Sequence, residues 1–264
     1  MTLRVYTTPV VVLHRTNLGE HDKILTLCTL ERGKLNAVAK GARKPISKLA
    51  GATELFTHSR VQLAVGRSLD VITQAEITDS FQGIRNDLTR IAHASLMTEL
   101  VDRFTEERDP HPQLFWLLVN ALRALEQTAH PDLVTHCFEM HLLSEVGYGP
   151  HLADCAICGT EIHADPAPFS PALGGVLCPA HRRRAADTMP AGLGTLSLGR
   201  TLLHISPRRE DALEALAAHT SPEIRRGLER LLRAHMQYRL ERPLKSPDFI
   251  REVTALYTPP SNGR

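Results

Sequence analysis

Apolar and polar residues along the chain follow two different periods, and the change falls near residue 80. Before it, short runs alternate with a period of two. Val61, Leu63 and Val65 alternate with Arg60, Gln62 and Ala64, the pattern of a half-buried strand. Val5–His14 is rich in valine and threonine, and the β-branched content of Lys23–Leu30 favours a strand as well. ERGK at 31–34, with Gly33 available for a positive φ, joins that strand to Leu35–Ala39 as a hairpin. Gly66-Arg67-Ser68 makes a second turn between Leu55–Val65 and Leu69–Ile77. Five strands with short turns and one longer loop suit a small closed barrel. The OB-fold is the leading form, and an SH3-like barrel leaves the same trace.

From residue 80 the period becomes helical. Ser80 or Asp79 can cap a helix whose apolar positions include Ile84, Leu88, Ile91, Leu100, Val101 and Phe104. Asp109-Pro110 breaks it, and a second helix carries Leu114, Leu117, Leu118, Leu122 and Leu125. A third runs from about Leu133 to Val146, where Gly147 stops it. Residues 150–181 lose both periods and hold prolines at 150, 166, 168 and 171, so they read as loop. Helical patterning resumes near Leu193, at Asp211–Ala218, at Pro222–Leu240 and at Asp248–Tyr257.

The expected class is therefore α+β. A barrel at 1–79 precedes an all-α domain split into 80–149 and 186–257, with a zinc-binding insertion at 150–185 and a disordered tail at 258–264.

Charge sharpens this division. The net formal charge is only +2, but residues 1–80 carry 11 Lys/Arg against 7 Asp/Glu, and residues 81–154 carry 5 against 11. Residues 31–67 are more polarised still, at 8 to 2. One part of the chain is thus suited to meet a polyanion, and another is not. Aromatic residues make up 5%, which argues against binding that needs many stacked rings. No stretch approaches the ~18 apolar residues of a membrane span. Five cysteines without a visible signal peptide predict a reducing, cytoplasmic setting.

Two motifs carry chemistry. Cys155-Ala-Ile-Cys158 is followed, after 19 residues, by Cys178-Pro-Ala-His181. Two short-spaced pairs of soft donors on turns are what a tetrahedral zinc ion needs, and four protein ligands leave no open position for water. The expected role is structural. A redox C-x-x-C would open a helix in a βαβ unit, and the zinc-deaminase pattern is absent. His151 and His163 are nearby nitrogen donors whose spacing fits poorly, and Cys28 and Cys137 read as buried small hydrophobes.

The second motif is AKGARKPISKLAG at 39–51, in the longer barrel loop. Lys40, Arg43, Lys44 and Lys48 fall within nine residues. Such a loop can follow a phosphodiester backbone without reading bases, and Lys34, Arg60 and Arg67 are turn or outward positions that widen the patch. Arg182-Arg183-Arg184 could extend the track or simply be solvated.

AKGARKPISKLAG after a hairpin, then FEMHLLSEVGYGPHLADCAICG running into the metal motif, resembles the RecO family of bacterial recombination mediators. The resemblance extends from VVLHRTNLGEHDKILTLCT to the C-terminal helices, with His181 standing where a cysteine is often found. It implies an N-terminal OB-fold, a helical domain, a zinc-binding insertion and no hydrolytic chemistry. It also implies binding to single- and double-stranded DNA, annealing of complementary strands, and action with RecR to load RecA onto DNA covered by SSB. A nucleoid-associated cytoplasmic protein without a small-molecule substrate is the expectation. A zinc-containing OB-fold RNA-binding protein is the main alternative, and a zinc hydrolase with His181 unbound is a weaker one.

Overall fold

The computed structural model describes residues 4–240 and 243–257. The proposed tail at 258–264 lies outside them. The described residues form two compact units, one running up to Glu126 and resuming at Ser246, the other spanning Gln127–Lys245.

In the first unit the strands are β1 (Val5–Leu18), β2 (Asp22–Thr29), β3 (Gly33–Ala39), β4 (His58–Ala64) and β5 (Asp70–Asp79). They close in the order β1-β2-β3-β5-β4, with β3 and β5 parallel and the other pairs antiparallel. That order settles the barrel as an OB-fold. Closure is possible because β1 is long. Its first half pairs with β4 from Val5 to Val11, its second half with β2 from Val10 to Leu18, and a register shift between Val12 and His14 bends the strand from one partner to the other. Alternation then fills the interior: Leu35, Ala37 and Ala39 of β3 meet Leu25 and Leu27 of β2, Val61 and Leu63 of β4, and Ile72 of β5. Gly33 takes the positive φ (+65°) that the β2–β3 turn demands, and a Cβ there would overlap the Asp109 carbonyl.

Two charged residues occupy inward positions of the alternation, Lys23 in phase with Leu25 and Leu27 and Asp70 in phase with Ile72. Lys23 points inward, where its Nζ donates to Glu54 Oε1 (3.0 Å) and Thr53 Oγ1 (3.2 Å). Asp70 accepts from the Tyr6 hydroxyl (2.5 Å) and the Gly66 N–H (3.1 Å), fixing the β4–β5 turn. Each buried charge is matched, as its desolvation cost requires.

Helices α1 (Gln82–Arg85), α2 (Leu88–Phe104), α3 (Pro112–Gln127) follow in this unit, and α8 (Ser246–Tyr257) returns to pack on α2. The cap of α2 is Asp87, whose side chain accepts from the Arg90 N–H (3.0 Å), rather than Ser80 or Asp79. Asp79 is engaged elsewhere, by His58 (2.8 Å) and Arg123 (2.7 Å). Burial pushes its carboxyl up, but those two partners outweigh it and hold the group below the usual carboxylate range.

The second unit contains α4 (Pro131–Glu145), α5 (Leu193–Leu202), α6 (Glu210–His219) and α7 (Pro222–Arg239). Helix α4 carries a fully buried pair, His136 Nδ1 and Glu139 Oε2 at 3.0 Å. Burial opposes the charged imidazole, yet Glu139, Asp132 and Glu229 together raise its pKa above the ordinary value. A raised folded pKa contributes stability that is complete below the unfolded value of about 6.5 and is lost as pH rises through the folded one. Denaturant titrations should show the chain losing stability across that window, and a His136→Gln, Glu139→Gln double variant should lack the loss.

Residues 150–181 are not wholly loop. β6 (Ala167–Ser170), β7 (Gly175–Val176) and β8 (Met189–Ala191) form a small antiparallel sheet in the order β7-β6-β8. Strands of two to four residues are too short for alternation to appear, and Pro168 and Pro190 face each other across two of them.

Candidate metal centre and nucleic-acid interface

The first knuckle is a tight turn in which Cys155 N–H donates to the Thr160 carbonyl and Gly159 N–H returns to the Cys155 carbonyl, both at 2.8 Å. Gly159 holds the positive φ (+69°) that this requires. The second is closed by His181 N–H on the Cys178 carbonyl (3.0 Å). Strand β7 brings them together, since Ala156 N–H donates to the Val176 carbonyl (2.9 Å) two residues before Cys178.

The donor atoms of Cys155, Cys158, Cys178 and His181 all lie within 4.8 Å of one another. Individual separations are 3.6 Å for Cys155 Sγ to His181 Nδ1, 3.3 Å for Cys178 Sγ to the same nitrogen, and 3.9 Å between Cys158 Sγ and Cys178 Sγ. A tetrahedral ion with usual thiolate and imidazole bond lengths has edges of about 3.8 Å between sulfurs and about 3.5 Å from sulfur to nitrogen. The cluster therefore fits a metal ion. One of its thiols is poised for this, while burial and the neighbouring Cys155 and Cys158 side chains push the Cys178 thiol up. Burial raises the Cys155 thiol, but N–H groups of Cys178, Ile157 and Cys158 and the His181 ring aim at the sulfur and bring it down to about 6. The thiolate is the metal-binding form.

The other candidates separate cleanly. His151 pairs with Asp154 and His163 lies 3.8 Å from Glu161, so neither joins the cluster. Cys28 and Cys137 are buried, and burial pushes each thiol up to about 12.

In the first unit, residues 40–50 leave β3 as consecutive turns. Lys44 N–H donates to Gly41 O (3.1 Å), Ser47 N–H to Lys44 O (3.1 Å) and Ala50 N–H to Ser47 O (3.3 Å). The loop is tied to the β1–β2 turn by Arg43 N–H on His21 O (2.9 Å), the Arg43 guanidinium on Gly19 O (2.9 Å), and Gly41 N–H on Asp22 (2.7 Å). Ala42 and Leu49 anchor it on the barrel core. Lys40, Arg43, Lys44 and Lys48 are all exposed, and none has an acidic partner among the described residues. Arg60 on β4, Arg67 in the β4–β5 turn and Arg182–Arg184 on a short turn are exposed in the same way.

Lys34 corrects one expectation. It lies on the outer face of β3 but is covered there: its ammonium lies 3.1 Å from Asp102 Oδ1, donates to the Asp102 carbonyl, and its side chain is 13% exposed. A Lys34→Met variant should lose about 1–3 kcal/mol of stability in a denaturant titration, because Asp102 loses its buried partner. Any salt dependence of nucleic-acid binding should be unaltered.

Sequence reading also missed what crosses the strand face. Arg108 N–H donates to the Lys34 carbonyl (2.8 Å), and Glu107 accepts from the Asn36 side chain (2.8 Å). The acidic segment after α2 thus lies on the outer side of β3 near its start, while the cationic loop leaves its end. No motif announces this contact, which joins residues 71 positions apart.

Comparison with known proteins agrees along most of the chain. The family described as Recombination protein O N terminal matches residues 1–81, and that described as Recombination protein O C terminal matches residues 85–248. The chain belongs to the RecO family. A DNA repair protein RecO from Roseiflexus sp. (strain RS-1) is 39% identical over 251 residues, covering 95% of this chain and 86% of the relative. The DNA repair protein RecO of Symbiobacterium thermophilum is 38% identical over 94% of this chain and 97% of its own length. That of Heliobacterium modesticaldum is 37% identical over 95% and 91%. Among the described residues, no helix is long and apolar enough to cross a membrane.

Proposed function

We propose that the chain is a non-enzymatic DNA-repair mediator that binds single- and double-stranded DNA and anneals complementary strands. With RecR it would help load RecA onto SSB-coated single strands in the cytoplasm, close to the nucleoid. The observation that carries this reading is the exposed cationic loop on an OB barrel, without acidic partners among the described residues, in a chain whose relatives are DNA repair proteins. Lys40, Arg43, Lys44 and Lys48 neutralise phosphates, and Arg60 and Arg67 add to the patch. Screening phosphate repulsion lets two complementary strands approach without nucleotide hydrolysis. The acidic segment on β3 repels the backbone and favours a DNA path at the loop end of the barrel.

The metal is a structural zinc ion held by Cys155, Cys158, Cys178 and His181. Three thiolates and an imidazole match its preference, and a full protein shell leaves it no substrate position. Zinc supplies cross-linking of the two knuckles, and the chain's own N–H donors hold Cys155 ready as thiolate. Titration of labelled oligonucleotides tests the binding claim: tight binding to single strands that weakens steeply with salt is expected. Preference for a matched RNA strand would move the RNA-binding alternative to the front.

A further inference from the structure

The tip of the cationic loop is apolar. Lys44-Pro45-Ile46-Ser47 is a β-turn closed by Ser47 N–H on Lys44 O (3.1 Å), with Pro45 and Ile46 at its two corner positions. Proline suits the first corner because its φ is already set. Ile46 is 97% exposed, against 45% for Ile77 on β5. Ala42 and Leu49, packed on the barrel, fix the stems of the loop and leave its corner pointing into solvent.

We propose that Pro45 and Ile46 form a wedge that enters between two neighbouring bases of bound DNA. This rests on the DNA-binding reading above. A lone exposed isoleucine is ordinary, but this one sits between cations, with Arg43 and Lys44 before it and Lys48 after it. That arrangement matches a ligand whose apolar faces are flanked by phosphates on both sides. Aliphatic and proline side chains inserted at base steps partly unstack them. The apolar corner is two residues wide, which suits one base step and falls far short of the roughly 800 Å² per partner of a stable protein interface. An unstacked strand exposes its pairing edges, so the wedge would aid annealing as well as binding.

The test uses the full-length, zinc-loaded protein and a single-stranded oligonucleotide carrying 2-aminopurine, whose fluorescence rises on unstacking. The wild type should raise the signal severalfold at saturation. Ile46→Ala should remove most of that rise and weaken affinity about fivefold with an unchanged salt slope, and Ile46→Phe should restore both. At 97% exposure neither change threatens the fold. Tight binding with no rise, or a rise that survives Ile46→Ala, overturns the wedge alone. No DNA binding at any salt overturns the DNA-binding reading with it. Ile46-dependent capture on anionic phospholipid vesicles, without a 2-aminopurine response, assigns the tip to a lipid surface and overturns the wedge.

Discussion

A Cys178→Ser chain should purify without stoichiometric zinc and with the knuckle segment unfolded. Structural zinc contributes about 10–16 kcal/mol in small peptide systems, comparable with or above the roughly 5–15 kcal/mol that stabilises a whole domain. The local alternatives are weak. Strands β6, β7 and β8 have four, two and three residues, too short to hold residues 150–191 alone. Hydrogen exchange should show protection lost across this segment and retained in the barrel strands, and metal analysis should fall well below one zinc per chain. Chelation of the wild type should reproduce the exchange pattern. Cys137→Ser is the control. That buried thiol lies outside the cluster and donates to the Ile205 carbonyl at 3.1 Å, so the variant should keep its zinc. A stable Cys178→Ser chain with unchanged protection would remove the structural role.

Replacing Lys40, Arg43, Lys44 and Lys48 together by alanine should cost most of the DNA affinity while leaving the fold intact. All four are exposed and lack acidic partners among the described residues, so the variant forfeits only the Arg43 bond to Gly19 O. Each neutralised phosphate contributes about −0.7 to the log–log salt slope for single strands, so the variant's slope should be shallower by about 3. Across a fourfold rise in salt the wild type should lose about 50-fold more affinity than the variant. Arg60→Ala with Arg67→Ala should give a smaller change. An unaltered slope in the quadruple variant would take the DNA path away from this loop.

How far the sequence reaches depends on the range of the interaction. The alternation read at 60–65 recurs in the burial of Val61 and Leu63 against Arg60 and Gln62, because a strand face repeats every two positions, and it reverses where β4 ends, with Ala64 buried and Val65 exposed. The metal motif was legible for a similar reason: the knuckle spacing is local chemistry. The partners of Lys23 were not legible. Strand phase puts it on the inner face with Leu25 and Leu27, but Glu54 and Thr53, which match its charge, stand some thirty positions away. Lys34 was likewise withdrawn from the surface by Asp102, 68 positions on. The grouping of α8 with α2 needs contacts such as Ser246 N–H on Glu99, 147 positions apart. Ile46 stands in a row of cations, and only the turn geometry places it at a corner.

The most direct measurement is annealing of two complementary DNA strands in the absence of nucleotide, followed by fluorescence as salt is raised. Rapid annealing that fades with salt, and that is lost in the quadruple alanine variant, is the expected result. A folded, zinc-loaded protein that accelerates no annealing at any salt would contradict the account.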